Sequence, residues 1–371
     1  MVDLEYALLV FSTNLHDLID LKCSIRNHSF ETKMMLNYPL YPLHYPNSQK
    51  DVICLLVCHR DRVLILFFFL FMPASSLKSR LPHAHAYADD TQLYLWFKPD
   101  SAVGETEARF AMEQCIRAVR AWMVVDKLKL NEEKTEFMLI GTHQQLSKVL
   151  TDSLLVTGTV VSSVSEARNL GVWFDSMFQF QTHINETCQS AFYYIYIIRR
   201  IRKFLSFEAA KSLVQALVIS GLDYCNSVLY GIPAIHTNKL QRVQNAAARL
   251  LTNKPRYSHI TPVMVDLHWL PVRFRIIFKV ILFTFKAVHG TAPTYIINLL
   301  SFKQSRYNLK SVGNNTLARP EVKSAKTTGD RAFAVAAPLL WNALPPSLRA
   351  IDNITSFKKQ LKTYLFRKAY F

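Results

Sequence analysis

A pair of adjacent aspartates, set between two alternating apolar runs, constrains this chain more than any other feature. Tyr87-Ala88-Asp89-Asp90 precedes a run in which Leu93, Leu95 and Phe97 alternate with other residues. A period of two on both sides of a short polar turn predicts a tight β-hairpin with the aspartates at its tip. An Asp-Asp pair by itself is also common in ordinary turns, because Asp tolerates turn geometry. Whether the pair is an ordinary turn or a functional hairpin tip has to be judged from the rest of the sequence.

The same pair is well suited to hold a divalent cation. Two unpaired carboxylates side by side repel each other, and a bound cation removes that penalty. Mg²⁺ commonly takes one or two protein carboxylates and fills its other positions with water and substrate phosphates. We therefore predict that Asp89 and Asp90 are metal ligands for Mg²⁺, with Mn²⁺ as the alternative ion.

Charge is distributed unevenly along the 371 residues. Residues 190–371 contain 27 Lys and Arg against 6 Asp and Glu, whereas the preceding residues contain 17 basic and 21 acidic side chains. A one-sided basic region is typical of proteins that bind a phosphate backbone. A solvated basic face, or one that touches anionic lipid, is the alternative interpretation.

The local patterns predict an α+β fold. An apolar stripe over residues 102–129, formed by Phe110, Ile116, Val119, Met123 and Leu128, predicts a helix that backs a sheet. Strands are expected at 135–140 and 170–174, with a hairpin around Thr157-Gly158-Thr159. From residue 176 onwards the pattern is helical. Ser206 is the expected N-cap of one helix, and two final helices are expected at 333–341 and 354–366.

Five separated blocks resemble, in the same order, the reverse transcriptases of non-LTR retrotransposons of the LINE type, in their jockey-like branch. The blocks are 87–93 (YADDTQL), 128–136 (LKLNEEKTE), 169–175 (NLGVWFD), 266–272 (DLHWLPV) and 341–345 (WNALP). The resemblance implies a partial polymerase palm, an antiparallel sheet backed by helices, followed by an all-α thumb and a helical C-terminal extension. It implies RNA-directed DNA polymerase chemistry on an RNA template, a DNA primer and deoxynucleotides, without a small-molecule cofactor.

The resemblance also implies roles for matching residues. Asp89, Asp90 and Lys134 would be catalytic, the aspartates through two Mg²⁺ ions and Lys134 by neutralising or protonating the leaving pyrophosphate. Without its block, Lys134 would be interpreted as an ordinary exposed lysine. The positions expected near the primer are Tyr87, Leu170, Gly171 and Val172.

Cations that recur beside apolar stripes in the helical half are expected to meet phosphates. The predicted nucleic-acid contacts are Arg199, Arg200, Arg202, Lys203, Arg242 and Arg249. A further helix carries Arg273, Arg275, Lys279 and Lys286 at similar spacing.

The chain also departs from the family. Residues 1–86 contain neither an Asp-x-x-x-Ala-Phe-Asp block, which would supply a further metal ligand, nor any glycine. We therefore expect a truncated and impaired enzyme that does not polymerise by itself. A catalytically inactive nucleic-acid-binding remnant is the first alternative. A membrane-anchored basic protein is the second, because residues 63–72 are apolar. That run is about half the length of a membrane span, so a membrane location is disfavoured.

Six scattered cysteines fit no zinc pattern and indicate free thiols in a reducing compartment. We expect an intracellular protein, nuclear or cytoplasmic and not secreted.

The predicted organisation is an unassigned, weakly ordered segment 1–62, a partial palm 63–175, a helical thumb 176–300, a linker 301–328 and a helical extension 329–371.

Overall fold

The computed structural model describes residues 52–58, 83–87, 90–99, 101–125, 130–156, 158–303, 315–320 and 328–371. They belong to two compact units that divide between Thr182 and His183. Small antiparallel sheets and one long helix make up the first unit, and helices make up the second. This mixture agrees with the predicted α+β class.

An antiparallel sheet of four strands organises the first unit. Its strands are β1 (Val52–Cys58), β2 (His83–Tyr87), β3 (Asp90–Phe97) and β4 (Glu136–Ile140), in the order β2-β3-β1-β4. Tyr87 pairs with Asp90, which leaves a connection of two residues between β2 and β3. The predicted hairpin is thereby confirmed, except that Asp90 is the first residue of β3 and not part of the tip. Ala88 and Asp89, which form the connection, lie outside the described residues.

The central strand β1 comes from the segment that we left unassigned. It pairs with β3 on one side and with β4 on the other. Its sequence, VICLLVC, is apolar throughout and rich in β-branched residues. Such a run suits a strand with neighbours on both edges. The sheet therefore extends further towards the N-terminus than the predicted boundary at residue 63.

Helix α1 (Ala102–Val125) packs on this sheet, as its apolar stripe predicted. Met112, Ile116 and Val119 are buried together with Leu93 and Leu95 of β3.

The prediction is wrong for one residue of the apolar stripe, because the Phe110 side chain is 55% exposed. It lies two residues from the buried Met112, which turns it by about 200° to the opposite side of the helix. Leu128 of the same stripe lies outside the described residues.

Two hairpins complete the first unit, β5 (Ser153–Val156) with β6 (Thr159–Ser162) and β7 (Glu166–Asn169) with β8 (Val172–Asp175). The short helix α2 (His143–Leu146) begins at a capping box, in which Thr142 and Gln145 exchange hydrogen bonds. The hairpin predicted around residue 158 is confirmed. The strand predicted at 170–174 begins two residues later, because Leu170 and Gly171 form a turn.

Ten helices are described in the second unit or at its start. They are α3 (Gln181–Ile201), α4 (Phe207–Val214), α5 (Ser220–Asp223), α6 (Ala234–Thr252), α7 (Ile260–Asp266), α8 (Val272–Val288), α9 (Thr294–Ile297), α10 (Phe333–Asn342), α11 (Pro346–Arg349) and α12 (Ile354–Tyr370). The hydroxyl of Ser206 accepts a hydrogen bond from the Ala209 amide, which confirms the predicted N-cap of α4.

Helix α8 is buried along most of its length and packs against α6, α10 and α12. Its side chains share a core with Trp341, Phe357 and Leu317. Leu317 belongs to the segment that we predicted to be a linker, 301–328, and it is nonetheless packed in this core. Among the described helices, none combines the length and the apolar character that a membrane crossing requires. The apolar run 63–72 lies outside the described residues.

Candidate functional site

The pairing register fixes which end of the sheet carries Asp90. Asp90 is the first residue of β3, and its neighbour Thr91 pairs with Cys58 at the end of β1. One residue earlier on β1, Val57 pairs with both Gln92 and Glu136. The chain that enters β4 therefore lies at the same end of the sheet as Asp90. One strand separates β3 from β4, so their backbones are about 10 Å apart.

Lys134 is located in that entering segment, in a short 3₁₀ turn from Glu132 to Lys134. Asn131 shapes the turn, since its Oδ1 accepts from the Lys134 amide at 3.2 Å and its carbonyl accepts from the Thr135 hydroxyl at 2.8 Å. Thr135 is buried, whereas the Lys134 side chain is exposed. The structure thus brings two predicted catalytic positions, Asp90 and Lys134, to one end of one sheet.

The predicted Mg²⁺ site at Asp89 and Asp90 stays a prediction. Asp89 lies outside the described residues, and for Asp90 only the backbone is described. Two adjacent carboxylates fit one Mg²⁺ whose other ligands are water and phosphate oxygens. Within the described parts of the chain, His, Cys, Asp and Glu form no group of three or more that could hold a metal ion. The site for a second ion therefore stays a prediction without a described ligand.

The predicted primer-gripping residues form a tight turn. Asn169 pairs with Val172, and Leu170 and Gly171 connect them with φ values of 44° and 90°. Two successive positive φ values are typical of a two-residue hairpin turn, in which glycine is favoured at no steric cost. Val172 is fully buried, so its side chain packs inward. Gly171 is exposed and Leu170 is half-buried, whereas the side chain of Tyr87 lies outside the described part of the chain.

Asp175 has a role that our reasoning from the sequence missed. Its carboxylate accepts hydrogen bonds from the amides of Met177 (3.1 Å), Gln179 (2.9 Å) and Phe180 (2.5 Å). An Asp at a strand end that is followed by a serine is a common turn signal, which could have indicated it. These bonds shape the turn between β8 and α3.

Of the predicted nucleic-acid contacts, four are exposed on the helical unit. Arg199 and Arg200 lie on the last turn of α3, Lys203 follows in a 3₁₀ turn, and Arg242 lies on α6. The Lys203 ammonium lies 4.8 Å from the ring centroid of Phe204. These cations are placed where a phosphate backbone could reach them, and their contact with nucleic acid stays a prediction.

Arg202 and Arg249, by contrast, are partly buried and bonded within the protein. The Arg202 guanidinium donates to the carbonyls of Leu250 (3.3 Å) and Leu251 (2.9 Å) at the end of α6, and to that of Leu205 (3.0 Å). Arg249 donates to the Ser258 carbonyl at 3.2 Å. Arginine side chains commonly satisfy the last carbonyls of a helix, as Arg202 does here. Both residues therefore have a structural role that the sequence did not indicate.

The two C-terminal blocks of the resemblance, 266–272 and 341–345, make hydrogen bonds within the helical unit. In block 266–272, the Trp269 carbonyl accepts from the Tyr370 hydroxyl at 2.6 Å, and the Leu270 carbonyl accepts from Gln244 Nε2 at 2.9 Å. In block 341–345, Trp341 Nε1 donates to the Asn315 carbonyl at 2.7 Å. The described contacts of these blocks therefore support the fold of the helical unit.

One curated protein of Drosophila melanogaster, described as a probable RNA-directed DNA polymerase from transposon BS, is similar to this chain. The two are 27% identical over 185 residues, which is 49% of this chain and 20% of the relative. The similar part thus spans about a fifth of the relative's length. No family model and no solved structure matches the chain. The partial similarity supports a relationship between this chain and retrotransposon reverse transcriptases.

Proposed function

We propose that this chain is the palm and thumb part of a non-LTR retrotransposon reverse transcriptase of the LINE type, and that it binds an RNA template and a DNA primer. The observation that carries the proposal is the β2–β3 hairpin, which brings Asp90 to the end of the sheet where Lys134 is exposed. Asp89 directly precedes Asp90 in the sequence. The similarity to a probable transposon polymerase supports it independently.

The chemistry follows from the residues at that end of the sheet. Asp89 and Asp90 would hold Mg²⁺, which supplies positive charge to the phosphates of a deoxynucleotide during transfer to a primer. Lys134, on a turn fixed by Asn131, adds positive charge where pyrophosphate leaves. The exposed backbone at Gly171 permits close approach of a primer strand, because glycine has no Cβ.

We further propose that this chain alone holds a metal ion without extending a primer. Residues 1–86 lack the Asp-x-x-x-Ala-Phe-Asp block, and the described residues offer no third ligand group. Two-metal transfer places its ions about 4 Å apart between several carboxylates. Two carboxylates provide enough protein ligands for one Mg²⁺ ion but too few for a second.

The test measures binding and primer extension on one preparation of the full chain. We expect binding to an RNA–DNA hybrid that weakens steeply with salt, and no incorporation of labelled deoxynucleotide with Mg²⁺ or Mn²⁺. Arg199→Ala with Arg200→Ala should weaken hybrid binding about ten-fold or more. Lys358→Ala with Lys359→Ala removes the same charge from the exposed face of α12 and serves as the matched control.

Two outcomes would overturn parts of this proposal. Equal losses in the two double variants would show that binding follows net charge rather than the end of α3. Incorporation that Asp89→Ala abolishes would refute the expected inactivity while supporting the metal site.

A further inference from the structure

A row of exposed aromatic side chains lies on the surface of the helical unit, close to the cations at the end of α3. On α3, Tyr193 and Tyr196 are 60% and 57% exposed, and Phe204 in the following 3₁₀ turn is 77% exposed. The opposite side of α3 buries Ile195 and Ile198. Single exposed apolar side chains are ordinary, but neighbouring ones form a patch that commonly binds something.

Two cations lie close to these rings. Arg200 lies 6.0 Å from the ring centroid of Tyr196, and Lys203 lies 4.8 Å from that of Phe204. Tyr193, Tyr196, Arg200 and Lys203 recur at spacings of three and four residues, so they share one face of the helical path. We call the set the aromatic–cationic stripe. Its members are Tyr193, Tyr196, Arg200, Lys203 and Phe204.

The chemistry of the stripe matches a single-stranded nucleic acid. Exposed rings offer stacking surfaces for bases, and the cations between them can pair with the phosphates that join those bases. A duplex hides the faces of its bases, so stacking on these rings requires an unpaired strand. Between Gln181 and Lys211 there are five Lys and Arg residues and two Glu residues, a balance that favours a polyanion.

We propose that the aromatic–cationic stripe binds single-stranded RNA or DNA by stacking bases on Tyr193, Tyr196 and Phe204. The inference deepens the proposed function, on which it rests, by naming a site for an unpaired stretch of template or transcript. In this proposal the rings distinguish a single strand from a hybrid, and the cations provide affinity for phosphates in either ligand.

The experiment measures the affinity of the full chain for a fluorescent oligouridylate of about 16 nucleotides. An RNA–DNA hybrid of the same length is measured at the same salt. The test variant is Tyr193→Ala with Tyr196→Ala, and the rescue variant replaces both tyrosines by Phe. The control is Tyr257→Ala, because Tyr257 is 91% exposed in the same unit and lies outside the stripe. Circular dichroism confirms that each variant is folded.

We expect the double Ala variant to lose about ten-fold or more in affinity for the oligouridylate and to change less than about two-fold for the hybrid. The Phe variant and Tyr257→Ala should bind like the unmodified chain, because stacking needs the ring and not the hydroxyl. Equal loss on both ligands, or no loss on either, would overturn the stripe as a stacking site.

The outcomes separate this inference from the proposed function. Hybrid binding without oligouridylate binding refutes the stripe alone, whereas absence of both refutes the proposed function as well. Binding to anionic phosphatidylserine vesicles that the double Ala variant loses, without oligouridylate binding, would assign the stripe to a membrane surface and would also refute the inference.

Discussion

The guanidinium group of Arg275 makes two parallel hydrogen bonds to the carboxylate of Asp223. Nε donates to Oδ1 at 2.7 Å, and Nη2 donates to Oδ2. The pair joins α8 to α5, and both side chains are mostly buried, with 20% and 32% exposed. Arg275 belongs to the cations that we expected to face phosphates, and the structure gives it a partner inside the helical unit.

Arg275→Met should lower the free energy of unfolding by about 1.5–3 kcal/mol, because it removes a bidentate charged contact and leaves a partly buried carboxylate without its counter-charge. Urea unfolding followed by far-ultraviolet circular dichroism measures the change. Lys211→Met is the control, since Lys211 pairs with Glu208 at 3.6 Å on an exposed surface and should change stability by less than about 0.5 kcal/mol. Similar effects for both variants would contradict the prediction.

Arg202 and Arg199 should respond differently to replacement by alanine, although both were predicted to bind nucleic acid. Arg202→Ala removes hydrogen bonds to three backbone carbonyls and should destabilise the chain by about 1–3 kcal/mol. Arg199→Ala should stay within about 0.5 kcal/mol, because its side chain is exposed.

Binding provides the second measurement for this pair. If Arg199 meets a phosphate, its replacement reduces the slope of log affinity against log salt by about 1. Arg202→Ala, measured where it is fully folded, should leave that slope unchanged. The reverse pattern would show that Arg202 leaves the helix end to contact nucleic acid.

Asn342 should be important for anchoring the segment 315–320. Its Oδ1 accepts from the Leu317 amide and its Nδ2 donates to the Leu317 carbonyl, both at 2.9 Å. Asn342→Ala should lower the free energy of unfolding by about 1–2 kcal/mol and speed hydrogen exchange at the Leu317 amide. Asn238→Ala, at an exposed position of α6, provides the control. Unchanged exchange at Leu317 would refute an anchoring role.

Burial raises the pKa of the Cys115 thiol from 9.0 to about 11. The thiol is packed between α1 and the sheet, where water does not stabilise the thiolate. We expect thiol-specific reagents at pH 8 to label Cys115 at least about 100-fold more slowly than the partly exposed Cys188, as read by mass spectrometry of peptides. Comparable rates would contradict this burial.

The raised pKa of Cys115 adds a pH-dependent contribution to the free energy of unfolding. Because the folded pKa lies above the unfolded one, the contribution of the neutral thiol is fully present below pH 9 and is lost as pH rises towards about 11. The difference in unfolding free energy between the unmodified chain and Cys115→Ala should therefore shrink over that interval.

Local patterns predicted the elements that depend on neighbouring residues. The alternation of Leu93, Leu95 and Phe97 predicted β3 and its buried face, and the hydroxyl of Ser206 predicted where α4 begins. The period of two on both sides of the Asp-Asp doublet predicted a hairpin, because alternation that flanks a short polar turn is typical of two paired strands. In these cases the interacting groups lie within a few positions of one another along the chain.

Partners that are distant along the chain were not predictable in this way. The signal at residues 52–58 is an apolar run, which a buried helix would also show, and only pairing with β3 and β4 makes it the central strand. The composition of 301–328 indicated a linker, yet Leu317 enters the core beside Trp341.

The sequence by itself therefore determined the α+β class, the hairpin that carries Asp89 and Asp90, and the basic character of the helical half. Only the tertiary structure decided which arginines remain on the surface. Arg199 and Arg202 have the same chemistry three residues apart, but Arg202 donates to two carbonyls at the end of α6, whereas the Arg199 side chain is exposed. The last carbonyls of a helix accept hydrogen bonds from whichever donor the fold brings near. Residues that are neighbours along the chain do not indicate which donor this will be.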